Sequence, residues 1–273
     1  MSDAHEAAQS QRGRGPDGLD RLYAEYGTRI YQLAYRMTGN REDAQDITQE
    51  TFLRAYRKAA GFRGESELST WVYAIAKNLC LEHLRTARRT SFAALETLLR
   101  DAASMASPSG LDASERQDLV GQVRDGCLAG LLRCLSFDQR TAFILHVILR
   151  LPVREVAGVL DKSQGATRVL VHRARRNLKE FLCRNCAAYD PANSCRCENL
   201  IGFSLKQGWI HLPSPEEKAL LDPRRIEAGI EGVREVIELY RGLSDPSPPG
   251  DLRTRIRELV RVDGQDIFIG NKT

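Results

Sequence analysis

Two helix-type hydrophobic patterns in direct succession, within residues 43–85, constrain the fold of this chain more than any other feature. The first pattern places apolar or small residues on one stripe at helical spacing: Ala44, Ile47, Thr51, Phe52, Ala55 and Ala59. Two glycines, Gly61 and Gly64, then interrupt it, and a second helix is expected from Ser69, whose hydroxyl can cap it. The stripe of the second helix contains Trp71, Val72, Ile75, Ala76, Leu79 and Leu84. The sequence therefore predicts an all-α region.

Polar residues outside the first stripe repeat beyond the helix start. They are Asp43, Asp46, Gln49, Glu50 and Arg54. An acid in a first turn is commonly there to complement the helix dipole, which would explain Asp43 alone. The repetition favours a docking face for a partner.

A further helix precedes this block. Its apolar positions are Leu19, Leu22, Tyr23, Tyr26, Ile30, Leu33, Ala34 and Met37, and Gly39-Asn40 is the expected stop. Residues 1–18 are rich in glycine and polar side chains, which predicts a disordered arm.

The block from Asp43 to Ala55, with Phe62-Arg63-Gly64 and the run from Thr70 to Asn78, resembles region 2 of bacterial RNA polymerase sigma factors of the extracytoplasmic-function group. The resemblance implies that the acid-edged helix docks on core RNA polymerase, and that the next loop and helix open promoter DNA. The implied polymerase-binding residues are Asp43, Asp46, Gln49, Glu50 and Arg54. The implied DNA-binding residues are Phe62, Arg63, Ser66, Asn78 and Arg85. Trp71, at helical spacing, is expected in the core rather than as a base-stacking platform.

A second set of helix signals occupies residues 128–182, after a partly helical linker. Ser136 and Gln139 have capping-box spacing, and Pro152 interrupts the apolar pattern that follows. A short helix, a turn at Asp161-Lys162 and a helix capped by Ser163 then predict a helix-turn-helix, with Thr167, Val171, Ala174 and Leu178 facing inward. Seven cations face two acids between Asp161 and Cys186, which favours phosphate binding over a merely solvated face.

This second block resembles sigma region 4, whose recognition helix reads the minus-35 promoter element. Arg173-Ala174-Arg175 corresponds to an Arg-Ala-Arg triplet of the family. The implied DNA-binding residues are Ser163, Gln164, Arg168, Val169, His172, Arg173, Arg175 and Arg176. The chain departs from the family at Arg168-Val169-Leu170, where Lys-Ser-Arg is usual. Val169 either contacts a thymine methyl group or signals an altered promoter preference.

The last third of the chain lies outside the resemblance and contains a cysteine cluster. Cys183, Cys186, Cys195 and Cys197 are candidate ligands for zinc or another thiophilic metal. A thiol redox switch and unligated cysteines are the alternatives, whereas a disulfide framework does not suit a reducing cytosol. Cys80, Cys127 and Cys134 fall within helix patterns and are expected to be small buried apolar residues.

Beyond the cysteines, the pattern predicts a long helix with Ile226, Ile230, Val233, Ile237 and Tyr240, a proline-rich break, and a last helix with Leu252, Ile256, Leu259 and Val260. These stripes require a surface to pack on. The candidates are the two sigma domains, a separate partner or polymerase. Some relatives carry C-terminal extensions that tune activity, so this tail resembles a built-in regulator.

The predicted architecture is all-α, with two helical domains joined by a flexible linker and followed by a mainly helical extension. The predicted boundaries are 1–18 for the arm, 19–90 for region 2, 91–126 for the linker, 127–182 for region 4 and 183–273 for the extension. Absence of a Gly-rich phosphate loop, a His-Glu-x-x-His motif and a nucleophile elbow argues against an enzyme.

The predicted function is that of a sigma factor for transcription initiation, with core RNA polymerase and promoter DNA as partners and an anti-sigma factor as a further candidate. The sigma function itself requires no cofactor. The alternative is a free-standing helix-turn-helix regulator with a metal sensor. The net charge is only +4, no apolar run approaches the ~20 residues of a membrane span, and no signal peptide is visible, so a cytoplasmic protein without membrane contact is expected.

Overall fold

The computed structural model describes residues 16–62, 64, 66–85, 90–103, 105, 108–212, 236–243 and 245–269. Regular structure in this part of the chain is helical, apart from one isolated backbone bridge between Cys186 and Cys195. The all-α prediction is confirmed. The helices are α1 (Pro16–Thr38), α2 (Arg41–Lys58), α3 (Leu68–Leu84), α4 (Phe92–Ala102), α5 (Ala113–Cys134), α6 (Phe137–Phe143), α7 (Val153–Leu160), α8 (Gln164–Asn185), α9 (Ile201–Lys206), α10 (Val236–Arg241) and α11 (Leu252–Ile269).

Three short helical turns join these helices: Ala59–Gly61 after α2, the π-helical turn Ile144–Ile148 after α6, and the 3₁₀ turn Cys197–Leu200 before α9. The described residues fall in two compact units. Unit 1 contains those within 16–85, 144–169 and 245–269, and unit 2 contains those within 90–143 and 170–243.

Unit 1 is built around α1, α2 and α3. Its fully buried side chains include Ile30, Leu33, Phe52, Val72 and Tyr73, which come from all three helices. The predicted stripe of α2 is buried, except that Ala59 is partly exposed. Helices α7 and α11 pack on the same bundle, α7 against α3 and α11 against α1 and α2.

The junction between α1 and α2 follows from two adjacent residues. Gly39 has a φ of 78°, a left-handed conformation that glycine adopts without a steric cost, and α1 ends there. The side chain of Asn40 then accepts hydrogen bonds from the backbone nitrogens of Glu42 (2.7 Å) and Asp43 (3.1 Å). The predicted stop is therefore also the cap of α2.

The predicted cap at Ser69 is wrong. Helix α3 already begins at Leu68, and Glu67 precedes it without a side-chain capping bond. The Ser69 hydroxyl instead donates to Oε2 of Glu155 in α7, at 3.2 Å. The Ser69 hydroxyl, which the local pattern assigned to the helix start, thus bonds to a residue that is distant in the sequence.

The helix-turn-helix has the caps that its sequence predicts. In the capping box, the backbone nitrogen of Gln139 donates to Oγ of Ser136 (3.3 Å) and the Ser136 nitrogen donates to Oε1 of Gln139 (3.4 Å). Asp161 ends α7 with a φ of 53°, a left-handed conformation in which aspartate is less costly than most residues. Oγ of Ser163 accepts from the backbone nitrogen of Ala166 at 3.1 Å and caps α8.

Unit 2 has its own hydrophobic core between α4, α5 and the start of α9. Buried side chains in this core are Ala102, Leu119, Val123, Leu200, Ile201 and Ile210. Asp112 and Glu115 form a capping box at the start of α5. Residues 113–126, assigned to the linker from sequence, are thus the first part of a helix that continues to Cys134.

The C-terminal extension packs on the sigma-like part of the chain. In unit 2, the Tyr240 hydroxyl of α10 donates to the carbonyl of Leu128 (3.0 Å), and its ring lies 5.0 Å from that of Phe143. In unit 1, α11 buries Leu252, Ile256 and Val260. The prediction for Leu259 is wrong, because 40% of this residue is exposed.

Several sequence predictions lie outside the described residues. They concern residues 1–15, Arg63, and the helix pattern through Ile226, Ile230 and Val233. Among the helices that the structure does describe, none combines the length and the apolar character needed to span a membrane.

Candidate nucleic-acid interface

The polar face of α2 lies outside the buried stripe, as its sequence pattern predicts. Asp46 is exposed, while Asp43, Gln49, Glu50 and Arg54 are partly exposed. Nε of Arg54 donates to Oε1 of Glu50 at 2.7 Å, and its terminal nitrogen lies 3.2 Å from Oε2 of Glu82. The hydrogen bond to Glu50, and then that to Glu82, raise the pKa of Arg54, so this side chain stays cationic.

Helix α3 adds two residues to this face that the sequence reasoning did not assign to a site. Glu82 pairs with Arg54, and Nε2 of His83 lies 3.1 Å from Oδ2 of Asp43. The face is therefore a charged surface made by two packed helices, in which Asp46 is the most exposed of the five predicted polymerase-binding residues. Glu82 and His83 lie at the charged end of the second helix pattern, which indicates that they are exposed. The pattern alone could not show that they contact α2.

An aromatic pair marks the loop between α2 and α3. The rings of Phe62 and Trp71 lie 5.0 Å apart at an interplanar angle of 43°, and both residues are partly exposed. Ser66 is exposed on the same loop. Trp71 is thus packed against a neighbouring ring without being enclosed, a state between the two alternatives of a core residue and an open stacking platform.

A surface groove with a volume of ≈ 410 Å³ lies on the α2 and α3 pair. Its lining residues are Arg54, Lys58, Ile75, Asn78, Leu81, Glu82 and Arg85. Two of the predicted DNA-binding residues, Asn78 and Arg85, meet there, beside Lys58, which the sequence reasoning did not assign to a site. The groove thus combines an amide and cationic side chains with the apolar surface of Ile75 and Leu81.

Helix α8 separates an inward and an outward face as predicted. Thr167, Val171, Ala174 and Leu178 are buried. Exposed residues on the helix and its cap are Ser163, Gln164, Arg168, Val169, His172, Arg173 and Arg176, whereas Arg175 is partly buried. Val169 is 47% exposed, so its methyl groups are accessible to a ligand.

Two of the α8 arginines have partners on the helix itself. Arg168 donates to Oε1 of Gln164 at 3.4 Å, and Nε of Arg176 lies 3.7 Å from Oε1 of Glu180. Both contacts are long and exposed, so they fix the side chains only weakly and leave the guanidinium groups accessible.

Helix α7 lies against the beginning of α3, within unit 1. Glu155 accepts the hydrogen bond from Ser69, and a Cβ placed on Gly158 would come within 2.8 Å of Cγ2 of Thr70. Glycine fits this close approach as it stands, whereas a larger residue would require the Thr70 side chain or the helices to shift. The first helix of the helix-turn-helix is thereby fitted to the end of α3 that follows the aromatic loop.

The four cysteines predicted as metal ligands differ in their exposure. Cys183 is exposed on α8, while Cys186, Cys195 and Cys197 are partly buried. Cys80 and Cys134 are buried as predicted, whereas Cys127 keeps some exposed surface. Burial of its thiol, and then the nearby thiols of Cys197, Cys195, Cys186 and Cys134, raise the pKa of Cys127. Within the described ranges, no group of three or more His, Cys, Asp or Glu side chains could hold a metal ion as it stands.

The matches to known families coincide with these surfaces. The Sigma-70 region 2 family matches residues 22–90, which include the α2 face, the aromatic loop and the groove. The Sigma-70 region 4 family matches residues 125–178, which include the helix-turn-helix.

The chain is similar over more than half of its length to two ECF RNA polymerase sigma factors. The chain is 31% identical over 158 residues to the ECF RNA polymerase sigma factor SigW of Bacillus subtilis, a match that covers 58% of this chain and 84% of SigW. It is 29% identical over 167 residues to the ECF RNA polymerase sigma factor BldN of Streptomyces coelicolor, a match that covers 61% of this chain and 61% of BldN.

A solved structure with a similar chain is that of CnrH in complex with the cytosolic domain of CnrY, at 24% identity and a TM-score of 0.46, over 67% of this chain and 97% of that one. Sigma factors are not enzymes, in line with the sequence. On the match to SigW and the two region matches, this chain belongs to the ECF RNA polymerase sigma factors.

Proposed function

We propose that this protein binds core RNA polymerase in the cytoplasm and directs it to promoters at transcription initiation. One observation carries the proposal: the charged α2 face and the aromatic loop lie on one compact unit, and the same chain carries a capped helix-turn-helix. A protein that only recognises DNA needs the last of these and has no use for the first two.

Polymerase binding is assigned to the α2 face. Asp46, Glu50 and Gln49 are accessible there, and Arg54 is held among acids that keep its charge. Such a surface suits a partner that presents basic side chains, because complementary charge steers association and fixes the register of the docked helices.

Promoter opening is assigned to the loop and groove. Phe62 and Trp71 supply ring faces on which an unstacked base can lie, and base–aromatic stacking contributes about 1–3 kcal/mol per base. Asn78 can bond a base edge within the groove, while Lys58 and Arg85 can bind the adjoining backbone.

Reading of the upstream promoter element is assigned to α8. Its exposed side chains combine guanidinium groups that bind phosphates or guanine with Gln164 and Val169, which can contact base edges and a thymine methyl group. The departure at Val169 is therefore interpreted as a specificity residue.

Run-off transcription with purified core polymerase tests this function directly. The protein should support specific initiation from a cognate promoter that core polymerase alone does not use. Binding to the promoter without any stimulation of initiation would favour the alternative, a free-standing helix-turn-helix regulator.

The extension is proposed to regulate this activity through metal or thiol chemistry at its cysteines. Support comes from its packing: α11 lies on α1 and α2 in unit 1, while Tyr240 of α10 contacts Leu128 and Phe143 in unit 2. A change in the extension can therefore reach both sigma regions. An anti-sigma factor is a further proposed partner, which co-purification from the native host would test.

A further inference from the structure

The thiols that gather in unit 2 are not the four that follow one another in the sequence. Cys127 lies on α5, Cys186 just beyond α8, Cys195 in the next loop and Cys197 at the start of the 3₁₀ turn. We propose that Cys127, Cys186, Cys195 and Cys197 form a four-thiolate site for a thiophilic divalent cation such as zinc, and that Cys183 is not a ligand.

The backbone already brings two of these residues together. Cys186 and Cys195 form an isolated β-bridge, and the backbone nitrogen of Ala187 donates to the Cys195 carbonyl at 3.0 Å. Because bridged residues lie side by side, Cys186 and Cys195 stay next to each other although a loop separates them in the sequence.

The loop between them is also ordered by its own hydrogen bonds. Nδ2 of Asn193 donates to the carbonyls of Cys183 (3.0 Å) and Cys186 (3.2 Å), and the Asp190 nitrogen donates to the Cys186 carbonyl at 3.0 Å. These hydrogen bonds hold the loop in place, so the site needs little further backbone ordering to bind an ion.

The core of unit 2 positions the remaining two cysteines, Cys127 and Cys197, relative to Cys195. Cys195 and Cys197 pack against the hydrophobic cluster that contains Val123, Leu200 and Ile201. Cys127 lies four residues after Val123 on α5, and residues four apart lie on the same face of a helix. The side of α5 that receives the 3₁₀ turn is therefore the side that presents Cys127.

Helix α5, which carries Cys127, packs against the 3₁₀ turn that begins at Cys197. Cys127, Cys186, Cys195 and Cys197 are all partly buried, whereas Cys183 is exposed on α8. The burial of the four proposed ligands therefore separates them from Cys183.

Four thiolates match the tetrahedral coordination that structural zinc requires. The charge repulsion that opposes their joint ionisation is what a divalent cation removes. Since the side chains do not hold a metal geometry as they stand in the described part of the chain, they must rotate toward a common centre on binding. Backbone contacts at Cys186 and Cys195 would remain.

Such a site would link the extension to region 4. Cys127 lies within residues 125–178, which match that region, while its three partner cysteines belong to the extension. Metal binding energy would then stabilise the packing of the extension on α5. This inference stands independently of the proposed sigma function, because metal content is measured without polymerase or DNA.

Serine variants of the full-length protein test the site. Each is purified under reducing conditions, loaded with zinc, freed of excess metal and assayed by elemental analysis. The wild-type protein and Cys183→Ser should retain about one zinc ion per chain, whereas Cys127→Ser and Cys197→Ser should lose it. Replacement of zinc by cobalt(II) should give thiolate charge-transfer bands in the wild-type protein that Cys183→Ser keeps.

Cys127→Ala serves as a second variant, since alanine preserves the α5 helix, and far-UV circular dichroism reports its fold. A folded Cys127→Ala protein that retains its zinc would overturn the assignment. So would loss of zinc in Cys183→Ser, or a reduced wild-type protein that takes up no zinc at all.

Discussion

Asp20 accepts ion-pair contacts from two arginines of the last helix, 3.1 Å from Nε of Arg253 and 3.3 Å from Nε of Arg257. Asp20 is on α1, so the contacts join helices from opposite ends of the described chain. Both arginines remain substantially exposed, and exposed ion pairs contribute about 0–1 kcal/mol each. These ion pairs therefore contribute little to stability, and their main effect is to fix which face of α11 packs against α1.

Burial of apolar side chains should supply most of the stability of this contact. Ile256 on α11 is 1% exposed, and Ile256→Ala should lower the free energy of unfolding of unit 1 by about 2–5 kcal/mol. Leu259→Ala is the matched control, because Leu259 lies on the same helix but is 40% exposed, and the substitution should change the free energy of unfolding by a much smaller amount, about 0.5 kcal/mol. Chemical denaturation of the full chain measures both.

Hydrogen exchange gives a second readout. Faster exchange in α1 and α2 of the Ile256→Ala protein would report that α11 braces region 2. Equal effects of the two substitutions would instead mean that α11 does not pack on this face in solution.

Leu259 also shows where sequence periodicity stops being informative. Leu252, Ile256, Leu259 and Val260 all fit one helical stripe, yet the structure buries only three of them. The width of a buried stripe depends on the partner surface, and α1 and α2 leave the Leu259 side uncovered. The existence of the helix could be predicted from its own residues, whereas its partner could not.

The approach of α7 to α3 makes a second prediction. Alanine normally stabilises a helix interior by about 1 kcal/mol relative to glycine, but at Gly158 its Cβ would meet Cγ2 of Thr70 at 2.8 Å. Gly158→Ala should therefore lower the melting temperature. Thr70→Ser removes Cγ2, so the double variant should recover most of the loss.

Thermal melts of the two single variants and the double variant measure this coupling. A Gly158→Ala protein that is more stable than the wild type would show that the higher helix propensity of alanine outweighs its contact with Thr70, and that α7 and α3 separate easily. Additive effects of the two substitutions would also contradict the direct contact.

The proposed polymerase-binding face of α2 yields a third prediction. Asp46→Lys and Glu50→Lys, singly and together, should weaken binding to core polymerase, because both reverse charges on the accessible α2 face. Glu96→Lys is the control for Glu50→Lys. Glu96 forms an i, i+4 pair with Arg100 as Glu50 does with Arg54, so both variants lose the same kind of surface ion pair.

A pull-down with core polymerase compares the variants at equal concentration. Undiminished retention of the Asp46→Lys/Glu50→Lys protein would contradict the proposal that the α2 face binds core polymerase. Equal loss of binding in Glu96→Lys would attribute the effect to net charge, away from the α2 face.

Local patterns predicted which helix faces are exposed better than they predicted the contacts between distant segments. The exposed face of α8 followed from helical spacing, because Thr167 and Val171 mark its buried side independently of any partner. Cys127 was assigned to a core because its own helix looks apolar there. Its neighbours, Cys195 and Cys197, are far away in the chain, and nothing in the local sequence indicates that they meet.

The last prediction separates positioning from reading residues on α8. Arg173→Ala and Arg176→Ala should weaken binding to all promoter sequences and make it less sensitive to salt. The slope of log affinity against log salt concentration should fall by about 0.9 for each phosphate that the variant no longer neutralises. Arg100→Ala is the control for Arg176→Ala, since it removes one exposed arginine from an i, i+4 pair on α4.

Gln164→Ala and Val169→Ala should leave the salt slope unchanged and alter which minus-35 sequences are used, because these side chains are expected to face base edges and carry no charge. A promoter library assayed with the reconstituted holoenzyme at several salt concentrations measures both quantities. If all four α8 substitutions shifted sequence preference alike, the division between the arginines and Gln164 with Val169 would be wrong.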